Sequence, residues 1–215
     1  MEVSLDCIAS DALATRRPMT LLAIYEHSHS TQAGGQVAPM PQLFTSDAQR
    51  IASELLQRGI GFERWPARAS LAPDADQAAI LAAYAPEIAR VQQGGGYATV
   101  DAIRLNPEHP DRVALRQKFL AEHTHSEDEV RFFVEGQGLF CLHIEGEVLQ
   151  LVCQQNDWIA VPAGTRHWFD MGSEPRFCAL RFFNNSEGWV ASFSGDPIAQ
   201  GYPFLDALLE QQGAP

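Results

Sequence analysis

From Glu122 onward the chain is a succession of short apolar runs separated by turns rich in glycine and proline, and this rhythm limits the fold more than any other feature. Runs over 129–134, 139–144, 148–153, 158–161, 167–170 and 177–183 are each of strand length. They follow one another too closely for crossover helices, so they must pair antiparallel. Glu135-Gly136-Gln137-Gly138, Glu145-Gly146-Glu147 and Pro162-Ala163-Gly164 supply the expected turns. Such a series closes into a sandwich or a barrel.

The front of the chain reads differently. Ser46 and Gln49 form a capping box that opens a helix ended by Gly59. Phe62–Trp65 reads as a strand and Asp74–Tyr84 as a helix, with Pro86 interrupting it before a further helical stretch to Gln93. Tyr97–Leu105 alternates as a strand, and Pro110–Phe119 returns to helix. The expected fold class is therefore α+β: an antiparallel β-barrel core with N-terminal helical decorations. Residues 1–18 read as an extension of weak character, 19–215 as a single domain, and 26–41 as a polar loop.

Composition excludes several classes of partner. A net charge of −12 argues against a nucleic-acid backbone. No apolar run approaches the ~20 residues of a membrane span. The N-terminal stretch lacks a secretory pattern, and Cys7, Cys141, Cys153 and Cys178 form no C-x-x-C pair, so free thiols, a cytoplasmic location and a monomer are expected.

The chemistry concentrates in four residues. His123, His125 and Glu129 are spaced H-x-H-x-x-x-E, and His167 follows in VPAGTRHWFD. Residues two apart in a strand share a face, so His123 and His125 can converge, Glu129 can join after a short turn, and His167 must arrive on another strand. Three imidazoles and a carboxylate form a mixed N/O set suited to a divalent transition metal with open positions. Arg131 shares the face of Glu129 and should point inward. A buried cation needs an anion, which is either a metal-bound substrate or a structural salt-bridge partner. Glu122, Glu127, Asp128 and Asp170 stand near enough in the sequence to support the imidazoles; the alternative reading is that each is merely solvated. His143 alternates with Leu142 and Ile144 and reads as structural, while His27, His29 and His109 read as loop residues.

His123, His125, Glu129 and Gly136, with Pro162, Gly164 and His167, resemble the two cupin motifs. The glycines that commonly open those motifs are Gln117 and Asn156 here, and the asparagine that commonly follows the last histidine is Met171. More specifically, EHTHSEDEVRFFVEGQGLFCLHI, VPAGTRHWFDMGSEPRF and NNSEGWVASFSGDPIA resemble the acireductone dioxygenases of methionine salvage, over Met19 to about Leu205. The resemblance implies one Fe(II) or Ni(II) per monomer on His123, His125, Glu129 and His167, with acireductone (1,2-dihydroxy-3-keto-5-methylthiopentene) and dioxygen as substrates. It implies formate and 4-methylthio-2-oxobutanoate from the iron form, and methylthiopropionate, formate and carbon monoxide from the nickel form. It further implies that Arg131 helps generate the substrate dianion, that Glu122 affects metal incorporation and that Asp128 transmits conformational change. On the residues alone, another cupin dioxygenase acting on a thiol or diol, and a metal-loaded cupin without turnover, remain open.

Overall fold

The computed structural model describes residues 19–27, 39–185 and 190–213. The expected extension 1–18, most of the 26–41 loop, Cys7 and His29 lie outside the described residues. The first apolar segment becomes β1 (Leu21–Glu26), followed by β2 (Leu43–Thr45) and α1 (Ala48–Gln57). The N-cap of α1 is Asp47 rather than the expected Ser46, and its carboxylate accepts from Arg50 N at 2.7 Å. A carboxylate at the positive end of a helix adds charge to the capping bond. Next come β3 (Gly61–Arg64), α2 (Gln77–Ala83), α3 (Ala85–Gly95) and β4 (Thr99–Leu105). Pro86 opens α3, where its missing N–H has no bond to lose.

The chain continues through α4 (Arg112–Phe119), β5 (His123–Thr124) and β6 (Glu129–Ile144). Then follow β7 (Glu147–Gln154), β8 (Asp157–Val161), β9 (Arg166–Asp170), β10 (Phe177–Phe183), β11 (Ser192–Phe193) and a C-terminal helix, α5 (Leu205–Gly213), that the sequence pattern did not announce.

The expected turn at 135–138 is absent: β6 runs straight through it. Gly136 sits at φ 64°, and the pairing of β10 with β6 slips register between Cys178 and Ala179. This bulge bends β6 without reversing it. The first half of β6 pairs β8 and β10, and the second half pairs β7 and β9. One strand thus serves two antiparallel layers, β4–β10–β6–β8–β3 and β11–β5–β9–β6–β7–β1–β2. In place of the expected closed barrel, hydrogen bonding runs through an open, branched sheet, because the bent strand joins the layers without ring closure.

Alternation along these strands sorts the apolar side chains into three sets. Between the layers lie Leu22, Ile24, Phe133, Phe140, Leu142, Leu151, Phe169 and Phe177. Phe169 anchors this core, with ring centroids 5.1 Å from Phe140 and 5.6 Å from Phe177. Each such ring contributes roughly 1.5–3 kcal/mol by leaving water. On the outer face of one layer, Tyr25, Leu139, Cys141 and Trp168 meet Tyr202, Leu205 and Leu208 from the C-terminal segment. On the outer face of the other, Val130, Phe132 and Leu180 meet Ile80, Tyr84, Ile88 and Val91 from α2 and α3 with their flanks. Among the described residues, no helix is long and apolar enough to cross a membrane.

Candidate metal centre

Three strands deliver the four predicted donors to one end of the inner core. His123 lies on β5 directly opposite His167 on β9. Glu129 is the first residue of β6. His125 follows β5, and its carbonyl accepts from Gly164 N at 2.9 Å, which fastens it to the turn ahead of His167. All four side chains are buried, and one donor atom from each lies within 4.8 Å of the others. Glu129 Oε2 stands 3.1 Å from both His125 Nε2 and His167 Nε2.

The orientation of each ring follows from its far nitrogen. Nδ1 of His123, His125 and His167 approaches the carbonyls of Ala121, Val190 and Thr165 at 2.7, 3.1 and 2.8 Å. A carbonyl only accepts, so each Nδ1 carries the hydrogen and each Nε2 lone pair is left for the centre. Of the acidic residues expected to support the imidazoles, none does so: backbone carbonyls fill the role, and these carry no side-chain signature in a sequence. Asp170 instead takes a bidentate pair from Arg116 at 2.7 and 3.1 Å and accepts from Leu205 N at 2.8 Å, docking α4 and α5.

The electrostatics prepare the set for a cation. Burial, and then the neighbouring His167, pushes the His123 imidazole down to about 4. Burial would also lower His125, but the Glu129 carboxylate outweighs it and the net shift is upward. Glu129 is held well below the usual carboxylate range; burial opposes this, and the Arg131 cation with two imidazoles overcomes it. At neutral pH Glu129 is therefore an anion and His123 a neutral nitrogen donor, the forms a metal requires. Three nitrogens and one carboxylate oxygen fit iron, nickel or a similar ion better than magnesium or calcium, which favour all-oxygen sets.

Arg131 lies where alternation put it, on the face of Glu129. It is 6% exposed, and Nε is 2.8 Å from Glu129 Oε1. Its guanidinium packs over Phe169 and Phe140, 4.7 and 5.1 Å from their ring centroids. Arg181, opposite it on β10, is instead paired with Asp101 at 2.8 and 2.6 Å. Neither Glu122 nor Asp128 belongs to the donor set. Asp128 Oδ1 accepts from Ala163 N at 2.9 Å, tying the approach to β6 to the turn that leads to His167. Glu122 is buried, and its Oε1 receives Nδ1–H of His143 at 2.8 Å. His143 is thus no ligand, yet it is bonded to the residue next to one. Its partner is 21 positions away, just before β5, a distance that periodicity along β6 cannot bridge.

The chain is similar to proteins of one known family. A model of the ARD/ARD' family matches residues 41–191. An acireductone dioxygenase of Parasynechococcus marenigrum (strain WH8102) is 65% identical over 173 residues, covering 80% of this chain and 93% of the relative. One from Synechococcus sp. (strain RCC307) is 61% identical over 187 residues, covering 87% of this chain and 99% of the relative. Among solved structures, an acireductone dioxygenase from Bacillus anthracis with a cadmium ion in its active centre superposes with a TM-score of 0.67 at 27% identity, covering 83% of this chain and all of that one.

Proposed function

Because the chain belongs to the ARD/ARD' family, the acireductone dioxygenases, we propose that it cleaves 1,2-dihydroxy-3-keto-5-methylthiopentene with dioxygen in methionine salvage, using one Fe(II) or Ni(II) held by His123, His125, Glu129 and His167. The observation that carries this reading is the buried His/Glu cluster with its donor atoms within 4.8 Å of one another. When bound, the metal would supply Lewis acidity and a template for the two oxygens of the ene-diol. The iron form would give formate and 4-methylthio-2-oxobutanoate, and the nickel form methylthiopropionate, formate and carbon monoxide.

The chain's own residues do the rest. Three carbonyl-fixed imidazoles and Glu129 would hold the ion in position with their orientations already set. Arg131 places a permanent cation beside that position, so an ene-diol held there loses its proton at lower cost, and the resulting anion is charge-paired. Phe140 and Phe169 exclude water around the guanidinium, which strengthens that pairing. Asp128, through Ala163 N, couples the segment entering at Glu129 to the one entering at His167. The whole is read as a cupin fold in a single domain over 19–215, acting as a cytoplasmic monomer.

Reconstituting metal-free protein with one equivalent of Fe(II) or Ni(II) tests the proposal. Both preparations should consume oxygen when given acireductone, and only the nickel form should release carbon monoxide. Absence of oxygen uptake with either metal, or turnover of a thiol such as cysteine in place of acireductone, would overturn it.

A further inference from the structure

Glu122 presents a carboxylate to the protein interior. Its side chain is 0% exposed. It immediately precedes the ligand His123, just outside β5, and its carboxylate is not in the donor set but meets His143 on β6. Its Oε1 accepts from His143 Nδ1 at 2.8 Å, and its Oε2 is buried without a hydrogen-bond partner. A buried carboxylate with one donor depends on that donor, because losing it leaves an unsolvated anion. His143 is in turn fixed by position. It lies on the long β6 opposite Arg166 of β9, and the ring of His27 meets it edge-on with centroids 4.9 Å apart. His27 is itself held by Tyr202, with Nδ1 3.0 Å from Oη.

Among the described residues, the strand beside Glu122 has few backbone pairings. β5 is two residues long; it pairs with β9 only at His123↔His167 and with β11 at two positions. The Glu122 carbonyl accepts from Ser194 N at 3.0 Å, at the edge of that same short ladder. A few backbone bonds therefore position both histidines of the H-x-H segment. The Glu122 side chain adds a link that runs across the sheet to β6, its most extensively paired strand.

We propose that His143 is a positioning residue for the metal centre: through Nδ1 it anchors Glu122, and Glu122 fixes the strand that carries His123 and His125. This rests on the reading that those residues hold a metal. Without the donor, the carboxylate must turn toward water, which shifts β5, and two of the four metal donors move with it. Partners that orient ligands indirectly typically change metal affinity by about 10–100-fold when removed.

The experiment follows metal release rather than turnover. Protein loaded with Co(II) is mixed with excess chelator, and the loss of cobalt absorption is timed for wild type, His143→Phe, His143→Asn and Glu122→Leu. Phenylalanine keeps the ring but has no donor. The asparagine amide nitrogen stands the same number of bonds from Cα as Nδ1 and can still donate. We expect His143→Phe to release metal about 10-fold faster with an altered cobalt spectrum, and His143→Asn to stay within about threefold of wild type. Adding Glu122→Leu to His143→Phe should bring little further loss, since both act through one bond. Wild-type release from His143→Phe, or asparagine no better than phenylalanine, overturns the proposal. If His143→Phe does not fold, Glu122→Leu, which keeps the side-chain size but has no acceptor, carries the test, and wild-type release from that variant overturns it equally. A wild-type protein that takes up no cobalt, or a His167→Ala control that retains it, instead condemns the metal centre itself, so the two failures are distinct.

Discussion

At the scale of the residue, the most consequential choice in the chain is a guanidinium buried beside the carboxylate of Glu129. Burial pulls the Arg131 pKa down from its ordinary value while Glu129 pulls it back up, and the cation survives because an anion lies at 2.8 Å. If its purpose were only to neutralise Glu129, the two imidazoles at 3.1 Å and a bound metal would already suffice. Its proposed value lies in a second anion, the substrate. Arg131→Ala should therefore keep metal content near wild type while lowering kcat/KM by roughly 10²–10³-fold, the usual loss when a preorganised charge donor is removed. Arg131→Lys restores the charge but not the planar fork and should recover only part of the loss. The readouts are metal content, the ultraviolet spectrum of substrate bound without oxygen, and the rate. A wild-type rate and dianion spectrum in the alanine variant, or loss of its metal, would make Arg131 a scaffold element.

At the scale of the element, β6 decides the architecture, and Gly136 decides β6. A Cβ added there would lie 1.7 Å from the carbonyl oxygen of Arg176, against backbone rather than a yielding side chain, and φ is 64°. Gly136→Ala should destabilise the metal-free protein by on the order of 3–4 kcal/mol in chemical denaturation. A loss under about 1 kcal/mol would show that the bend can relax and does not control the join between layers. The same residue marks where sequence reading reached its limit. Gly136 and Gly138 flank a polar residue between two apolar runs, which is locally a turn, but whether the chain reverses there depends on its register with β10, some 40 positions away by the pairing of Gly136 with Phe177. The metal donors were legible for the opposite reason. Their chemistry is carried by side chains, and the two-residue period that aligns His123 with His125 and Glu129 with Arg131 is local. What holds those donors was not legible, because three backbone carbonyls and the distant His143 leave no spacing to read.

At the scale of the whole molecule, Asp157 ties together segments far apart in the chain, and it makes stability depend on pH in a direction unlike most carboxylates. Its Oδ2 accepts from Thr20 Oγ1 at 2.6 Å and from Gln154 N at 2.9 Å, and Arg64 Nε lies 2.9 Å from Oδ1. It thereby joins the residue before β1 to the β7–β8 turn and to β3. Burial raises its pKa from 3.8 to about 6, and the two hydrogen bonds and Arg64 only partly oppose this. The folded protein thus binds the proton more tightly than the unfolded chain does. The associated stabilisation is complete below the unfolded value near 3.8 and is lost as pH rises through about 6. The loss amounts to on the order of 2–3 kcal/mol for a shift of this size. Asp157→Asn keeps an acceptor for Thr20 and Gln154 but never ionises. Its stability relative to wild type should therefore climb by that order between pH 4.5 and 7.5, measured by denaturation of both proteins in parallel so that the metal centre's own pH dependence cancels. A flat difference across the window would mean that Asp157 is ionised throughout. A difference that falls as pH rises would mean that the pairing with Arg64 outweighs burial, reversing the sign argued here.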